Sequence, residues 1–144
     1  VLEPSAGTGE IARGFSAISR YVSVVTCEIQ ERNAAVLRDL GYKPFVQDFL
    51  TMDPEAVYDV VAMNPPFANS ADVKHVNHAL KFLKPGGKLV AIMASSVTFR
   101  GTRLHVEFRE KIAAMGGTIT ALPEKSFKDS GTMVNTVLVE VTAP

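Results

Sequence analysis

The sequence predicts a single α/β domain, with a mostly parallel seven-stranded sheet, helices on both faces and an antiparallel final strand. Its 144 residues match the usual size of one domain. Hydrophobic residues make up 47% and charged residues 21%, a composition typical of globular proteins. Segments rich in β-branched residues alternate with segments whose apolar residues recur at helical spacing. This alternation indicates βαβ units and therefore a sheet covered on both sides.

The first half of the chain predicts four strands and two helices. A strand ending near Leu2 leads into the turn Gly7-Thr8-Gly9, and helical spacing follows. The β-branched run before Cys27 predicts a buried strand. Gly41 provides a stop for the second helix, and two prolines end the fourth strand abruptly. The helices are predicted over residues 10–20 and 30–40, and the second, third and fourth strands over residues 21–27, 44–47 and 59–63.

The second half predicts two more helices and three more strands. Helical spacing over residues 71–83 stops at Lys84-Pro85-Gly86-Gly87, and a buried strand follows over residues 88–94. A helix over residues 104–115 ends at two glycines. No helical pattern separates the last two strands, so we expect them to pair antiparallel at one end of the sheet. They are predicted over residues 118–122 and 133–141.

Charge and composition exclude several classes of protein. Fifteen Lys and Arg balance fifteen Asp and Glu, which argues against a small, strongly basic nucleic-acid module. Residues 1–72 nevertheless carry an excess of five carboxylates, and residues 73–144 carry an excess of five cations. No run approaches the roughly 18 apolar residues that a membrane helix needs, and no signal peptide opens the chain. Because Cys27 has no second cysteine to pair with, we expect a cytoplasmic protein.

Polar residues follow the predicted strand ends, where ligands bind in open α/β sheets. The glycine turn allows a close approach to a ligand, and the next helix offers its N-terminal amides. Glu28 stands 19 residues after Gly9, at the spacing of an acid that binds ribose hydroxyls. Asp48 and Phe49 can hold an adenine by its amino group and its face. Each feature also has a structural interpretation, as a simple turn, a helix-capping acid, and a loop residue beside a core phenylalanine.

The segment Asn64-Pro65-Pro66-Phe67 ends the fourth strand and is the most specific feature of the sequence. Two prolines remove two amide donors and fix two φ angles, which makes the turn rigid. The Asn64 side chain and the Pro65 carbonyl then present two oxygen acceptors, which suit a planar NH2 group. Phe67 can lie against the ring or amide that carries this group.

With these residues the sequence resembles the class I S-adenosylmethionine-dependent methyltransferases, in particular the adenine-N6 DNA methyltransferases. The resemblance runs over residues 1–141. Val-Leu-Glu-Pro-Ser-Ala-Gly-Thr-Gly at the start is similar to the first motif of that family, and Asn-Pro-Pro-Phe to its catalytic motif. Phe-Lys-Asp-Ser-Gly-Thr, residues 127–132, looks like the segment before its last strand. The resemblance implies a Rossmann-like methyltransferase fold, S-adenosylmethionine as cofactor and an N-methyltransferase activity on DNA.

The resemblance also implies roles for single residues. Glu3 and the glycine turn hold the methionine part of the cofactor, Glu28 the ribose and Asp48 the adenine amino group. Phe67 stacks on a base flipped out of its helix. The implied catalytic residues are Asn64, Pro65, Pro66 and Phe67. The implied cofactor-binding residues are Glu3, Pro4, Ser5, Ala6, Gly7, Gly9, Glu28, Ile29, Asp48, Phe49 and Asn64.

Other functions stay open from the sequence. The Asn-Pro-Pro-aromatic motif also occurs in methyltransferases of ribosomal RNA amines and of protein glutamine amides. A catalytically idle subunit that keeps the cofactor fold is a further alternative. An NAD-binding dehydrogenase is disfavoured, because an acid and a proline separate the first strand from the glycines and because hydride transfer needs no Asn-Pro-Pro-Phe.

The remaining reactive residues predict little chemistry. His75, His78 and His105 lack metal-like clustering and are expected on helix faces. Cys27 is expected in the core, and Ser95 and Ser96 fit either a pocket rim or a simple turn. The spacing leaves no room for a target-recognition domain, so we expect sequence specificity to come from a separate domain or subunit or to be low. Because the chain starts at Val1, inside a predicted strand, we expect a leading segment to be missing. The basic half, with Arg100, Arg103, Lys125 and Lys128, is expected to face a polyanion. No membrane or metal partner is expected.

Overall fold

A computed structural model describes residues 1–124 and 134–144, which form a six-stranded sheet in the order β2-β1-β3-β4-β6-β5. The first four strands pair in parallel, and β6 runs antiparallel to both β4 and β5. The mostly parallel sheet and its antiparallel final strand are as predicted, with six strands in place of seven. The strands are β1 (Leu2–Pro4), β2 (Val25–Cys27), β3 (Tyr58–Met63), β4 (Leu83–Ala94), β5 (Thr118–Ala121) and β6 (Thr136–Thr142).

All four predicted helices are present, with bounds close to those expected. The third helix ends earlier than predicted, because a 3₁₀ turn over Leu80–Phe82 replaces its last part and buries Phe82. None of the helices in the described parts of the chain combines the length and apolar character needed to cross a lipid bilayer. The helices are α1 (Glu10–Ile18), α2 (Glu31–Asp39), α3 (Ala71–Ala79) and α4 (Arg103–Ala114).

Helices cover both faces of the sheet, as the alternation of side chains along β1 demonstrates. Leu2 belongs to the main core together with residues of α3 and α4, such as Val76 and Phe108. Glu3 points to the opposite face, where its carboxylate accepts a hydrogen bond from the Ala12 amide in α1 at 2.8 Å. Since the parallel strands share one direction, the turns after β1, β2 and β3 meet at one edge of the sheet.

The predicted strand over residues 44–47 is wrong and accounts for the missing seventh strand. Only Phe45 pairs, in a parallel bridge with Cys27, through its amide to the Thr26 carbonyl and its carbonyl to the Glu28 amide. Pro44 has no amide to add a bond at this sheet edge. The strand predicted over residues 21–27 is shortened for a related reason, because its register with β1 begins only at Val25. Tyr21 is 83% exposed and is no part of a buried strand.

The segment Lys84-Pro85-Gly86-Gly87, predicted to separate the third helix from the next strand, lies inside β4. The register with β3 moves from Tyr58 opposite Leu83 to Val60 opposite Lys88, so the extra residues bulge from the ladder. Ala143 holds the bulge by accepting from the Gly86 amide at 2.9 Å and donating to the Gly87 carbonyl at 2.8 Å. The neighbouring strand β6 begins at Thr136, three residues later than predicted.

We expect Gly9→Ala to destabilise the domain more than Gly41→Ala. The two glycines have similar positive φ angles, 86° and 90°, so both variants carry the left-handed strain of about 1 kcal/mol. A Cβ on Gly9 lies only 2.8 Å from Cδ2 of the buried Leu37, whereas a Cβ on Gly41 meets nothing within 4 Å. Crowding at Leu37 therefore adds about 1–3 kcal/mol. Urea unfolding of both variants tests this, and equal losses would contradict a role for Gly9 in packing α2.

Candidate active site

A cavity of about 460 Å³ lies at the carboxyl ends of β1, β2 and β3. This volume is in the range of small-molecule sites. The turns after three neighbouring strands form its walls, which is the ligand position expected for an open α/β sheet. Eight of the predicted site residues border it, and they are Ser5, Gly7, Glu28, Ile29, Asp48, Phe49, Asn64 and Pro66.

Glu28 joins two walls of the cavity. One carboxylate oxygen accepts the Gly7 amide at 2.7 Å and the other accepts the Gln30 amide at 2.8 Å. The side chain is buried and thus fixed between the glycine turn and the start of α2. Each carboxylate oxygen can accept more than one hydrogen bond, so Glu28 retains acceptor capacity toward the cavity.

A second carboxylate and two apolar side chains also border the cavity. Asp48 does not end a strand as predicted but caps the 3₁₀ turn Phe49–Thr51, accepting the Leu50 amide through Oδ1 at 2.9 Å. Among the described residues, its second oxygen has no partner. Phe49 is a buried core residue with one side on the cavity, whereas Ile29 is 62% exposed. The cavity thus offers acceptors and apolar surface to a ligand ring.

Four predicted cofactor residues, Glu3, Pro4, Ala6 and Gly9, are not among the described residues that border the cavity. The Ala6 amide donates to the Cys27 carbonyl at 2.9 Å, which ties the turn to β2. The Glu3 carboxylate is only 2% exposed and accepts the Ala12 amide in the first turn of α1. Burial raises the pKa of Glu3 to about 7, against the effect of its backbone hydrogen bonds.

We expect the free energy of unfolding of the wild-type chain to fall between pH 5 and pH 8. In Glu3→Gln this fall should be absent. Below its folded pKa of about 7 the folded chain keeps a proton that the unfolded chain, with an ordinary pKa of 4.5, has released. Raising the pH through this window therefore lowers the free energy of unfolding, by about 3 kcal/mol at most. The measurement is urea unfolding at several pH values, compared between wild type and variant.

The matched control is Glu10→Gln, because Glu10 is an exposed carboxylate at the start of the same helix and pairs with Arg13. Because the charge of Glu10 is the smallest of the effects that act on the pKa of Glu3, this variant should keep most of the wild-type slope in the same pH window. An unchanged slope in Glu3→Gln would show that the Glu3 carboxyl does not titrate there.

The Asn-Pro-Pro-Phe turn borders the same cavity. Asn64 is exposed directly after β3, and its side chain has no hydrogen bond to any described residue. Pro65 is buried and anchors the turn, Pro66 borders the cavity, and Phe67 is half-buried outside the described cavity wall. The rigid turn therefore presents the Asn64 side-chain amide, free of hydrogen bonds to described residues, at the mouth of the cavity.

His75 borders the cavity although the sequence predicted only a helix-face role. Its Nδ1 lies 3.3 Å from the hydroxyl of Ser5, and its ring centroid lies 5.8 Å from that of Phe49. Burial lowers the pKa of His75, with Asp48 acting in the opposite direction. The feature of the sequence that could have indicated this position is the placement of His75 among the apolar residues of α3, three residues after the buried Asp72.

The other residues for which the sequence predicted no clear chemical role make structural contacts. His78 contacts the Met52 carbonyl at 3.0 Å, and His105 contacts the Thr102 hydroxyl at 2.6 Å. Cys27 is buried as predicted, and burial raises its thiol pKa to about 11, so it is no thiolate nucleophile near neutral pH. Ser95 and Ser96 lie in a 3₁₀ turn after β4. Within residues 1–124 and 134–144, no three His, Cys, Asp or Glu side chains are grouped to hold a metal ion.

Comparison with known proteins gives the family. The family model "Methyltransferase small domain" matches residues 1–115. Type II methyltransferase M.CvrRI of Paramecium bursaria Chlorella virus XZ-6E is 35% identical over 78 residues, which cover 52% of this chain and 20% of that protein. This chain therefore spans about a fifth of the length of that relative.

The segment Phe127-Lys128-Asp129-Ser130-Gly131-Thr132, which resembles a family motif in sequence, lies outside the described residues, and so does Lys125.

Two solved structures share the fold along 99% of this chain. A Listeria monocytogenes protein assigned to the class I S-adenosylmethionine-dependent methyltransferases has a TM-score of 0.74 at 17% identity, with 52% of its length covered. The M protein of type I restriction enzyme EcoKI has a TM-score of 0.73 at 16% identity, with 39% covered. At these identities the likeness establishes the Rossmann-like methyltransferase fold. Other structures of this fold contain S-adenosylhomocysteine, which together with the family match indicates S-adenosylmethionine as the cofactor.

The cavity fits this cofactor. Two carboxylates, Glu28 and Asp48, border it, and their negative charge suits a ligand that carries a sulfonium and an ammonium group. Glu28 retains acceptor capacity for hydroxyl groups, and Asp48 has a free oxygen among the described residues. Ile29 and one side of Phe49 offer the apolar surface that a nucleobase requires.

Proposed function

The chain belongs to the methyltransferase small domain family, and from this premise we propose that it methylates an exocyclic amino nitrogen, N6 of adenine in DNA. The observation that supports this proposal most directly is the position of Asn64. Its side chain has no hydrogen bond to a described residue and borders the cavity that Glu28 and Asp48 also border. The similarity to a type II methyltransferase and to the EcoKI M protein supports DNA as the substrate. Sequence-specific contacts are proposed to come from a separate domain or subunit.

Bound S-adenosylmethionine supplies an activated methyl group, so the chain's residues need to hold the cofactor and orient the acceptor amine. In the proposed arrangement Glu28 accepts hydrogen bonds from the ribose hydroxyls and Asp48 accepts from the adenine amino group. Ile29 packs on the adenine face, and the glycine turn after β1 holds the methionine part. His75 fixes Ser5 at the wall of the cavity.

Asn64 orients the target amine in this proposal. Its Oδ1 and the Pro65 carbonyl accept the two amino hydrogens, which raises the electron density on the nitrogen and directs its lone pair. Because an asparagine amide is no base near neutral pH, the surplus proton passes from the nitrogen to solvent water after the transfer. Phe67 stacks on the base, a contact worth about 1–3 kcal/mol by analogy with other base–aromatic pairs.

The proposed substrate is tested with tritiated S-adenosylmethionine and three acceptors offered separately, namely genomic DNA lacking adenine methylation, ribosomal RNA and a release-factor-like protein. We expect label in DNA alone, recovered as N6-methyldeoxyadenosine after digestion to nucleosides. Label in RNA or protein would overturn the DNA assignment. Cofactor binding without transfer to any acceptor would instead indicate an idle cofactor-binding subunit.

A further inference from the structure

Phe99 and Arg100 are two neighbouring exposed residues, one aromatic and one cationic, in the loop that follows β4. Phe99 is 72% exposed, and Arg100 follows it in the loop between β4 and α4. One guanidinium nitrogen of Arg100 lies 3.5 Å from the hydroxyl of Ser70, three residues after Phe67. This contact places the pair at the same sheet edge as the cavity.

The backbone around this pair is held firmly although its side chains are exposed. The Arg109 guanidinium in α4 donates to the carbonyls of Val97 and Arg100, both at 2.9 Å. The Arg100 amide donates to the Ser96 carbonyl at 2.9 Å. On the facing side, Asn69 and Ser70 both have left-handed backbones and lead from the catalytic turn into α3. The side chains of Phe99 and Arg100 therefore project from a fixed loop and contribute little to folding.

Arg100 also carries an exposed charge at this edge that no carboxylate among the described residues compensates. Arg103 forms an ion pair with Glu107 at 2.6 Å, and the Arg109 side chain donates its hydrogen bonds to backbone carbonyls. Arg100 has no carboxylate within ion-pair distance among residues 1–124 and 134–144. An exposed cation next to an exposed ring is the combination that binds a nucleic-acid strand, because the cation holds a phosphate and the ring stacks on a base.

We propose that Phe99 and Arg100 hold the DNA strand beside the target nucleotide, with Arg100 on a backbone phosphate and Phe99 stacked on a neighbouring base. The inference rests on the proposed DNA methyltransferase function and adds to it a binding element outside the catalytic turn. A protein substrate with a glutamine amide offers neither a phosphate nor a flat base, so the pair favours nucleic acid over protein.

The test is the affinity for a fluorescein-labelled single-stranded DNA oligonucleotide of mixed sequence, measured by anisotropy at several salt concentrations. We expect Arg100→Gln to weaken binding about 10-fold at low salt and to reduce the slope of log K against log salt by about one. Phe99→Leu should weaken binding about 5- to 100-fold and leave the salt slope unchanged. Cofactor affinity and the thermal midpoint should stay at wild-type values in both.

The matched controls are Arg20→Gln and Tyr21→Leu. These residues form an exposed arginine–tyrosine pair, with the guanidinium carbon 5.0 Å from the ring centroid, in the loop that enters β2 at the opposite sheet edge. Their loss should leave DNA affinity unchanged. If the Phe99 and Arg100 variants bind DNA as the controls do while the wild type still methylates adenine, the contact is wrong and the proposed function stands. If poly-glutamate competes as well as DNA, the surface binds any polyanion and the DNA contact is also wrong.

Discussion

Replacing Asn64 by alanine is expected to lower kcat for adenine methylation about 10²–10³-fold, the usual cost of one preorganised polar group that acts on the reacting centre. The side chain is exposed at the mouth of the cavity and has no described partner, so its removal leaves no buried group unpaired. The loss should therefore appear in the chemical step with little change in stability. Single-turnover methyl transfer with saturating cofactor and DNA measures it.

Asn64→Asp provides the matched comparison for this variant. It keeps an oxygen acceptor at the same place and is expected to retain more activity than Asn64→Ala, because the amino hydrogen assigned to the residue 64 side chain can still be accepted. S-adenosylhomocysteine binding, measured by calorimetry, should change less than about threefold in both, since in the proposed arrangement Glu28 and Asp48 make most of the polar contacts to the cofactor. Persisting methyl transfer by Asn64→Ala would remove Asn64 from the catalytic role.

Local sequence signals predicted most of the fold. The helices followed from apolar spacing and glycine stops, and the observed bounds differ by one or two residues for three of them. The prediction of a strand over residues 44–47 was wrong. Its residue types favour an extended backbone, but a strand also needs a neighbouring strand to pair with along its length. Phe45 finds a partner only at Cys27, and Pro44 cannot donate. Register is a tertiary property, and it likewise explains the early start of β4 and the short β2.

The site was predictable where its residues follow strand ends directly. Glu28 and Asn64 are placed by the chain direction alone, so the sequence located them at one edge. His75 was missed because its place depends on how α3 is rotated against the cavity. Conversely, Glu3 was expected at the cofactor, but side-chain alternation along β1 directs it to the Ala12 amide behind the turn. The packing of helices against the sheet decides such cases.

Glu28→Gln is expected to raise the dissociation constant of S-adenosylhomocysteine about 100-fold. The variant loses a carboxylate that accepts two backbone amides and, in the proposed arrangement, the ribose hydroxyls. Its new NH2 group would face either the Gly7 or the Gln30 amide, so one wall of the cavity must shift. Hydrogen bonds to a charged group contribute about 1.5–3 kcal/mol each, and the loss of one or two corresponds to this change in affinity. Calorimetric titration measures it directly.

Glu31→Gln is the control, because Glu31 is an exposed acid three residues further along, in the first turn of α2, and pairs with Arg38 on the surface. It should bind the cofactor product as the wild type does. Thermal unfolding without ligand separates a disturbed turn from a lost ligand contact. A dissociation constant within about threefold of the wild-type value in Glu28→Gln would contradict the ribose role. Glu28 would then act only as the brace between the glycine turn and α2, since its two backbone hydrogen bonds are formed without any ligand.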